Sequence, residues 1–161
     1  MRNDRFKLIL EKLGVDANEI PEGIGDKYLE LAPIKSKVIP HTYEILDYLK
    51  PNYKLHIISN GFDDVQHSKL KASKIHEYFD VIVTSDSSGH RKPQKGIFEF
   101  ALASANASKT SSIMIGDNID TDIIGAQNVA LDHIFFNPNK IPHKIDVTHE
   151  IDSLKQIMNI L

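Results

Sequence analysis

Ten residues, Ile113 to Asp122 (IMIGDNIDTD), constrain this chain more than any other stretch. Ile113-Met114-Ile115 is an apolar run of the length of a short buried strand, and Gly116 ends it. Asp117 follows at the strand's end, a helical pattern starts about three residues later, and Asp122 stands five residues beyond Asp117. A strand that delivers carboxylates at its C-terminal end fits an open α/β sheet, where ligands bind along that edge. Two carboxylates there suit a hard cation such as Mg²⁺, which takes oxygen ligands and usually keeps waters and substrate phosphate in its shell. Helix capping is the competing explanation: Asp120 or Asp122 could satisfy free N–H groups and the dipole at a helix start. Capping leaves Asp117 unexplained, so the metal reading is preferred.

The rest of the chain supplies the sheet. Strands are expected at Lys54–Ser59, Asp80–Thr84, Ile113–Ile115 and Asp132–Phe136, each an apolar or β-branched run. Helices are expected at His41–Lys50, ended by Pro51, then at Asp63–Ser73, Pro93–Asn106 and Asp120–Ala130. The helix from Pro93 has proline in its first turn and Ile97, Phe98, Ala101, Leu102 and Ala105 on its apolar side. A last helix, Ser153–Leu161, opens on a Ser153-x-x-Gln156 capping box, with Leu154, Ile157, Met158 and Leu161 on one face. Strands alternating with helices of about ten residues mean βαβ units, hence a doubly wound parallel sheet of Rossmann-like α/β class. Two helices stand outside that alternation: one carrying Phe6, Ile9, Leu10 and Leu13 before Gly14, and a shorter one over Gly25–Leu31. They read as a small helical piece, 1–33, joined through a connector from Pro33 to Pro40 to an α/β core, 34–161.

Composition excludes several classes. The 161 residues suffice for one domain with a sizeable core, and a net charge of −3 points to neither nucleic acid nor a membrane surface. With no cysteine there is no disulfide framework and no zinc–thiolate site. No apolar run approaches a membrane span of about 18 residues, and MRNDRFKLIL is too charged for a secretory signal. A cytoplasmic location is the default expectation.

Two further stretches carry chemistry. Ser59-Asn60-Gly61 links a strand to a helix, and a hydroxyl with backbone N–H groups at a strand end can cradle phosphate. Asn-Gly is also a common turn dipeptide, and taken alone the stretch is better read as a turn. Lys92, just before a helix, could neutralise phosphate and carboxylate charge, although a single lysine is more often a solvated surface group. Asn118-x-Asp120-x-Asp122 fails as a calcium loop, because Ile123 and Val129 stand where glycine and the bidentate glutamate are required.

In combination these signals are more specific. A strand with Ser59-Asn60-Gly61, then Lys92-Pro93 opening a helix, then a strand with Gly116-Asp117-x4-Asp122 resembles the second, third and fourth motifs of the haloacid dehalogenase-like (HAD) hydrolase superfamily. HIISNGFDDVQ, RKPQKGIFEFAL and IMIGDNIDTDIIGA look like its pyrimidine 5′-nucleotidase-type phosphatases with a helical cap. The resemblance implies Mg²⁺-dependent phosphomonoester hydrolysis through a phosphoaspartyl intermediate, on a small phosphorylated substrate. Carried over by position, Ser59, helped by Asn60 and Gly61, would bind the transferring phosphoryl group, and Lys92 would balance its charge. Asp117 would ligate Mg²⁺, and Asp122 would hold the metal's water shell or orient Lys92. That division of labour suits phosphoryl transfer, which relies on positioning and on cationic stabilisation of equatorial oxygens.

One departure matters most. The family's first motif, a strand ending in D-x-D-x-[TV] that supplies the nucleophile and the general acid/base, matches no position here. In the family that strand lies at the sheet centre, between those ending at Ser59 and Asp117. The chain therefore reads as a truncated HAD-like core lacking its first strand, with a remnant of the helical cap at residues 1–33, and inactive as this fragment. The alternative is a non-catalytic phosphate- or metal-binding or interaction module derived from the same fold. A phosphorelay receiver is a poor match, because Val81-Ile82-Val83 runs to Thr84-Ser85-Asp86 without the required acceptor geometry. An empty central slot would leave backbone groups unpaired at about 1–3 kcal/mol each. Leu55–Ser59 and Ile113–Asp117 are thus expected to pair directly or to have the slot filled, by a missing N-terminal segment or in a strand-exchanged dimer. The third outcome is a poorly folded chain.

Overall fold

A computed structural model of the chain describes residues 4–16, 19, 21–31 and 34–161. The core holds five strands: β1 (Leu55–Ser59), β2 (Phe79–Thr84), β3 (Ile113–Gly116), β4 (Asp132–Phe136) and β5 (His149–Ile151). Among the described residues seven α-helices accompany them: α1 (Asp4–Lys12), α2 (Ile24–Leu31), α3 (Thr42–Leu49), α4 (Asp63–Ala72), α5 (Ser85–Ser88), α6 (Lys95–Ser104) and α7 (Ile124–Asn128). Every strand pair is parallel, as helical crossovers require, and apolar clusters cover both faces. On one face Ile45 and Leu49 of α3 pack with Ile134, Phe136, Ile151 and Ile157; on the other, Ile97, Phe98 and Ala101 of α6 pack with Val83, Ala126 and Leu131. Period-two alternation sends Ile113 and Ile115 of β3 to the first cluster and Met114 to the second. This is the doubly wound α/β arrangement expected.

The sheet is in two parts. β1 is hydrogen-bonded to β2 alone, and β3 to β4, which continues to β5. Direct pairing of Leu55–Ser59 with Ile113–Asp117, one of the expected outcomes, does not occur. Leu55 and Ile58 of β1 reach the same two clusters as Ile113, Ile115 and Met114 of β3. Closing β1 onto β3 would unpack helices already fitted to both halves, which holds the two edges apart. Burial records the consequence: β1 and β3 are half-buried along their whole lengths, whereas β4 is buried from His133 to Phe136.

Several element boundaries differ from expectation. The last segment is a 3₁₀-helix, Leu154–Asn159, rather than an α-helix, though the Ser153–Gln156 capping box forms. Apolar residues three and four apart serve either winding when only one side is covered. Pro93 lies ahead of α6, whose N-cap is Gln94. The expected helix Asp120–Ala130 divides into a π-wound turn, Ile119–Ile123, and α7. α5 and β5 stand outside the expected elements. In the N-terminal piece, Ile9 and Leu13 of the expected apolar stripe are 48% and 74% exposed and Leu10 is half-buried, so the stripe is only partly covered. The Phe6 side chain and Pro33, with the domain boundary placed there, lie outside the described residues. No helix among the described residues is long and apolar enough to cross a membrane.

Candidate active site

The site is assembled at the C-terminal ends of β1 and β3. Where β1 stops, the chain turns sharply: the Gly61 N–H donates to Ser59 Oγ at 3.0 Å. The Ser59 hydroxyl accepts that bond and keeps its own hydrogen for another acceptor. The turn is strapped from the end of β2. Ser85 Oγ lies 3.2 Å from the Asn60 carbonyl oxygen and 3.3 Å from that of Gly61, and the Asp63 N–H donates to Asp86 Oδ2 at 3.1 Å. Thr84, fully buried, donates its hydroxyl to Asp63 Oδ1 at 2.5 Å.

Lys92, on the loop between α5 and α6, is held from two directions. The Asn60 side chain accepts from the Lys92 N–H at 2.7 Å and donates to the Lys92 carbonyl at 3.1 Å. At the far end Lys92 Nζ meets Asp122 Oδ1 at 2.6 Å, with the two side chains 12% and 5% exposed. Ser59, Asn60, Lys92 and Asp122 are thus linked in one chain of contacts.

The loop after β3 explains how a carboxylate comes to be buried there. Asn118 caps the π-wound turn by accepting from the Thr121 N–H at 3.0 Å, so the capping considered for Asp120 and Asp122 falls to Asn118. The wider winding brings Asp122 back under the strand end, where its Oδ2 accepts from the Asn118 N–H at 3.1 Å and its Oδ1 from Thr121 Oγ1 at 3.3 Å. Gly116 makes room for it: a Cβ on Gly116 would stand 2.4 Å from Asp122 Cβ. Gly116→Ala is therefore expected to cost about 1–3 kcal/mol, the range for overpacking. Urea unfolding of that variant checks this, and a loss within about 0.5 kcal/mol, the range of neutral surface changes, would show that the loop yields.

Asp117 is exposed, and its side chain has no partner among the described residues. A free carboxylate at the strand end fits a cation that keeps most of its waters, as Mg²⁺ does with one or two protein carboxylates. Asp122, with both oxygens engaged, is suited to a water-mediated role and to orienting Lys92. Among the described residues no three His, Cys, Asp or Glu side chains cluster closely enough to hold a metal by themselves. Lys92 against Asp117 and Asp122 leaves the cluster one negative charge in excess, and a divalent cation would reverse that sign for a phosphate.

An open hollow of about 560 Å³ lies elsewhere, beside Asn137, His143 and Glu150. Its polar groups are paired among themselves, Asn137 Nδ2 to Glu150 Oε1 at 2.7 Å and His143 Nε2 to Glu150 Oε2 at 3.2 Å. Those two bonds hold the exposed Glu150 carboxyl below its ordinary pKa.

Comparison with known proteins places this geometry. The profile of the haloacid dehalogenase-like hydrolases matches residues 2–136. A pyrimidine 5′-nucleotidase of Escherichia coli is 29% identical over 164 aligned residues, taking in 100% of this chain and 71% of the relative. A glyceraldehyde 3-phosphate phosphatase of Methanothermobacter thermautotrophicus is 35% identical over 128 residues, 74% of this chain and 56% of the relative. The crystal structure of a HAD-hydrolase from Bacillus subtilis bound to magnesium superposes with a TM-score of 0.87 at 27% identity, covering 99% of this chain and 70% of that one.

Proposed function

Since the chain belongs to the haloacid dehalogenase-like hydrolases, we propose that its site binds the phosphoryl group of a small phosphomonoester in the presence of Mg²⁺, with nucleoside monophosphates as the substrate class. The observation that carries this is the Lys92–Asp122 pair at 2.6 Å, its lysine held through its backbone by Asn60, which follows Ser59 in the turn after β1. A buried, fixed ammonium is a preorganised charge, the kind of group that stabilises a transferring phosphoryl group. The nucleotide class rests on the pyrimidine 5′-nucleotidase that aligns along the whole chain.

In this reading the Ser59 hydroxyl donates to a phosphoryl oxygen. The Lys92 ammonium faces the same group, and Asp122 holds that ammonium in place. Asp117 would hold Mg²⁺, which when bound supplies positive charge to phosphate oxygens. Residues 1–33 belong to the end of a helical cap, and 34–161 to the catalytic core. The nucleophile is the missing part, because the 161 residues contain no D-x-D-x-[TV]. We place it on an extended parallel strand seated between β1 and β3, from an N-terminal segment or a second chain. Without that strand the protein acts as a phosphate- and metal-binding module.

Calorimetric titration with tungstate, a phosphate mimic, in the presence of Mg²⁺ tests the binding step. Lys92→Ala is expected to weaken binding about tenfold or more, as loss of a charge-assisted contact does. Asp117→Asn is expected to remove the dependence on Mg²⁺. Equal affinity in wild type and Lys92→Ala would sink the assignment.

A further inference from the structure

We infer that Asn60 is a positioning residue for Lys92: its carboxamide grips both polar groups of the Lys92 backbone and so fixes where the ammonium is delivered. Asn-Gly after a strand is ordinarily explained as turn chemistry, which needs nothing beyond its own loop. Here the side chain bridges to a residue 32 positions away, accepting at 2.7 Å and donating at 3.1 Å. The carboxamide has one acceptor and one donor end, and the Lys92 peptide groups present the complementary pair, so each end fills a role the other cannot. Asn60 is itself tied down, because Ser85 Oγ lies 3.2 Å from its carbonyl oxygen.

Lys92 needs such a grip. A lysine side chain has four rotatable carbons, and Asp122 restrains only its tip, through a contact of 2.6 Å. A tip contact alone leaves the base of the chain free to shift with its loop. With the backbone clasped at one end and the ammonium paired at the other, the side chain spans a fixed distance. The same clasp joins the end of β1 to the residue paired with the loop after β3. Asn60 and Asp122 thus link the two parts of the sheet across edges that share no hydrogen bonds. That Lys92 then faces a phosphate rests on the proposed function; the clasp itself does not.

The test follows Lys92 and needs no ligand. Amide hydrogen exchange reports its N–H, and amine labelling read by mass spectrometry reports its Nζ against Lys140 and Lys155, which are 77% and 59% exposed. In Asn60→Ala both Lys92 rates are expected to rise about tenfold or more, the scale of a lost buried hydrogen bond, with the reference lysines unchanged. Asn60→Asp keeps an oxygen for the Lys92 N–H and is expected to hold exchange within about threefold of wild type. Lys92 rates in Asn60→Ala within about twofold of wild type would overturn the inference and leave Asn60 a turn residue. If Asn60→Ala does not fold, Asn60→Asp decides: retained protection at the Lys92 N–H supports the clasp, and its loss refutes it. Failure of tungstate binding with these rates as expected would count against the phosphate reading alone.

Discussion

Asp122→Ala is expected to lower the unfolding free energy by about 3–5 kcal/mol, the range for removing one partner of a buried ion pair. Lys92 is 12% exposed at its side chain and has Asp122 as its ion-pair partner. Deleting the carboxylate strands an ammonium in a site built around its counter-charge. The Asn118 N–H loses its acceptor in the same change, which adds the cost of an unsatisfied donor. Domains of this size have roughly 5–15 kcal/mol in total, so the variant should lose much of its cooperative transition. Urea unfolding at neutral pH measures this. Lys92→Met placed on Asp122→Ala should recover a large part of the loss, because it removes the stranded charge, and a double-mutant cycle isolates the pair from the Asn118 contact. A loss below about 1 kcal/mol would put the pair in the class of solvent-screened surface bridges and refute its role as an anchor.

The same pair shows what could be read before the fold was seen. Ser59 ends β1, Lys92 lies in the loop ahead of α6 and Asp122 in the turn after β3, and such junctions carry local signals: an apolar run ending, a proline, a glycine. What the linear order could not show was how these residues are held. Asn60 grips a backbone, and a backbone has no sequence signature. Gly116 matters because Asp122 Cβ packs against its Cα, a contact made only once the turn winds wide. β5 is not legible in the sequence because it has three residues and Ile151 alone is buried, too little for alternation to register. The absent first motif predicts an empty slot between β1 and β3, and direct pairing or a filled slot is expected from it. That the edges stay apart instead depends on two clusters packing on both halves at once, which no local pattern encodes.

The largest effect expected is on catalysis. The 161-residue chain, assayed with a generic phosphomonoester and Mg²⁺, should show turnover no faster than buffer. Loss of a covalent nucleophile costs about 10⁶-fold in well-studied cases, and the positioning groups that remain supply only a residual acceleration. Adding a strand that carries the acid pair should restore it. β1 and β3 share no hydrogen bonds, and a strand inserted between them would need about 4.8 Å to each neighbour. Backbone pairing of this kind supplies affinity, and side chains alternating to the two faces supply register. The inserted strand should therefore be apolar on both faces, run parallel to β1 and β3, and end level with Ser59 and Asp117. A synthetic strand of that pattern ending in D-x-D-x-T, supplied in trans or fused ahead of residue 1, should raise turnover by at least about 10³-fold over the chain alone. It should also slow amide exchange along β1 and β3 while leaving the buried strand β4 unchanged. A strand with both acids replaced by asparagine should give the exchange protection without the turnover, which separates filling the slot from supplying the nucleophile. Robust hydrolysis by the unsupplemented chain that disappears in Asp117→Asn would refute this account and require a nucleophile among the residues already present.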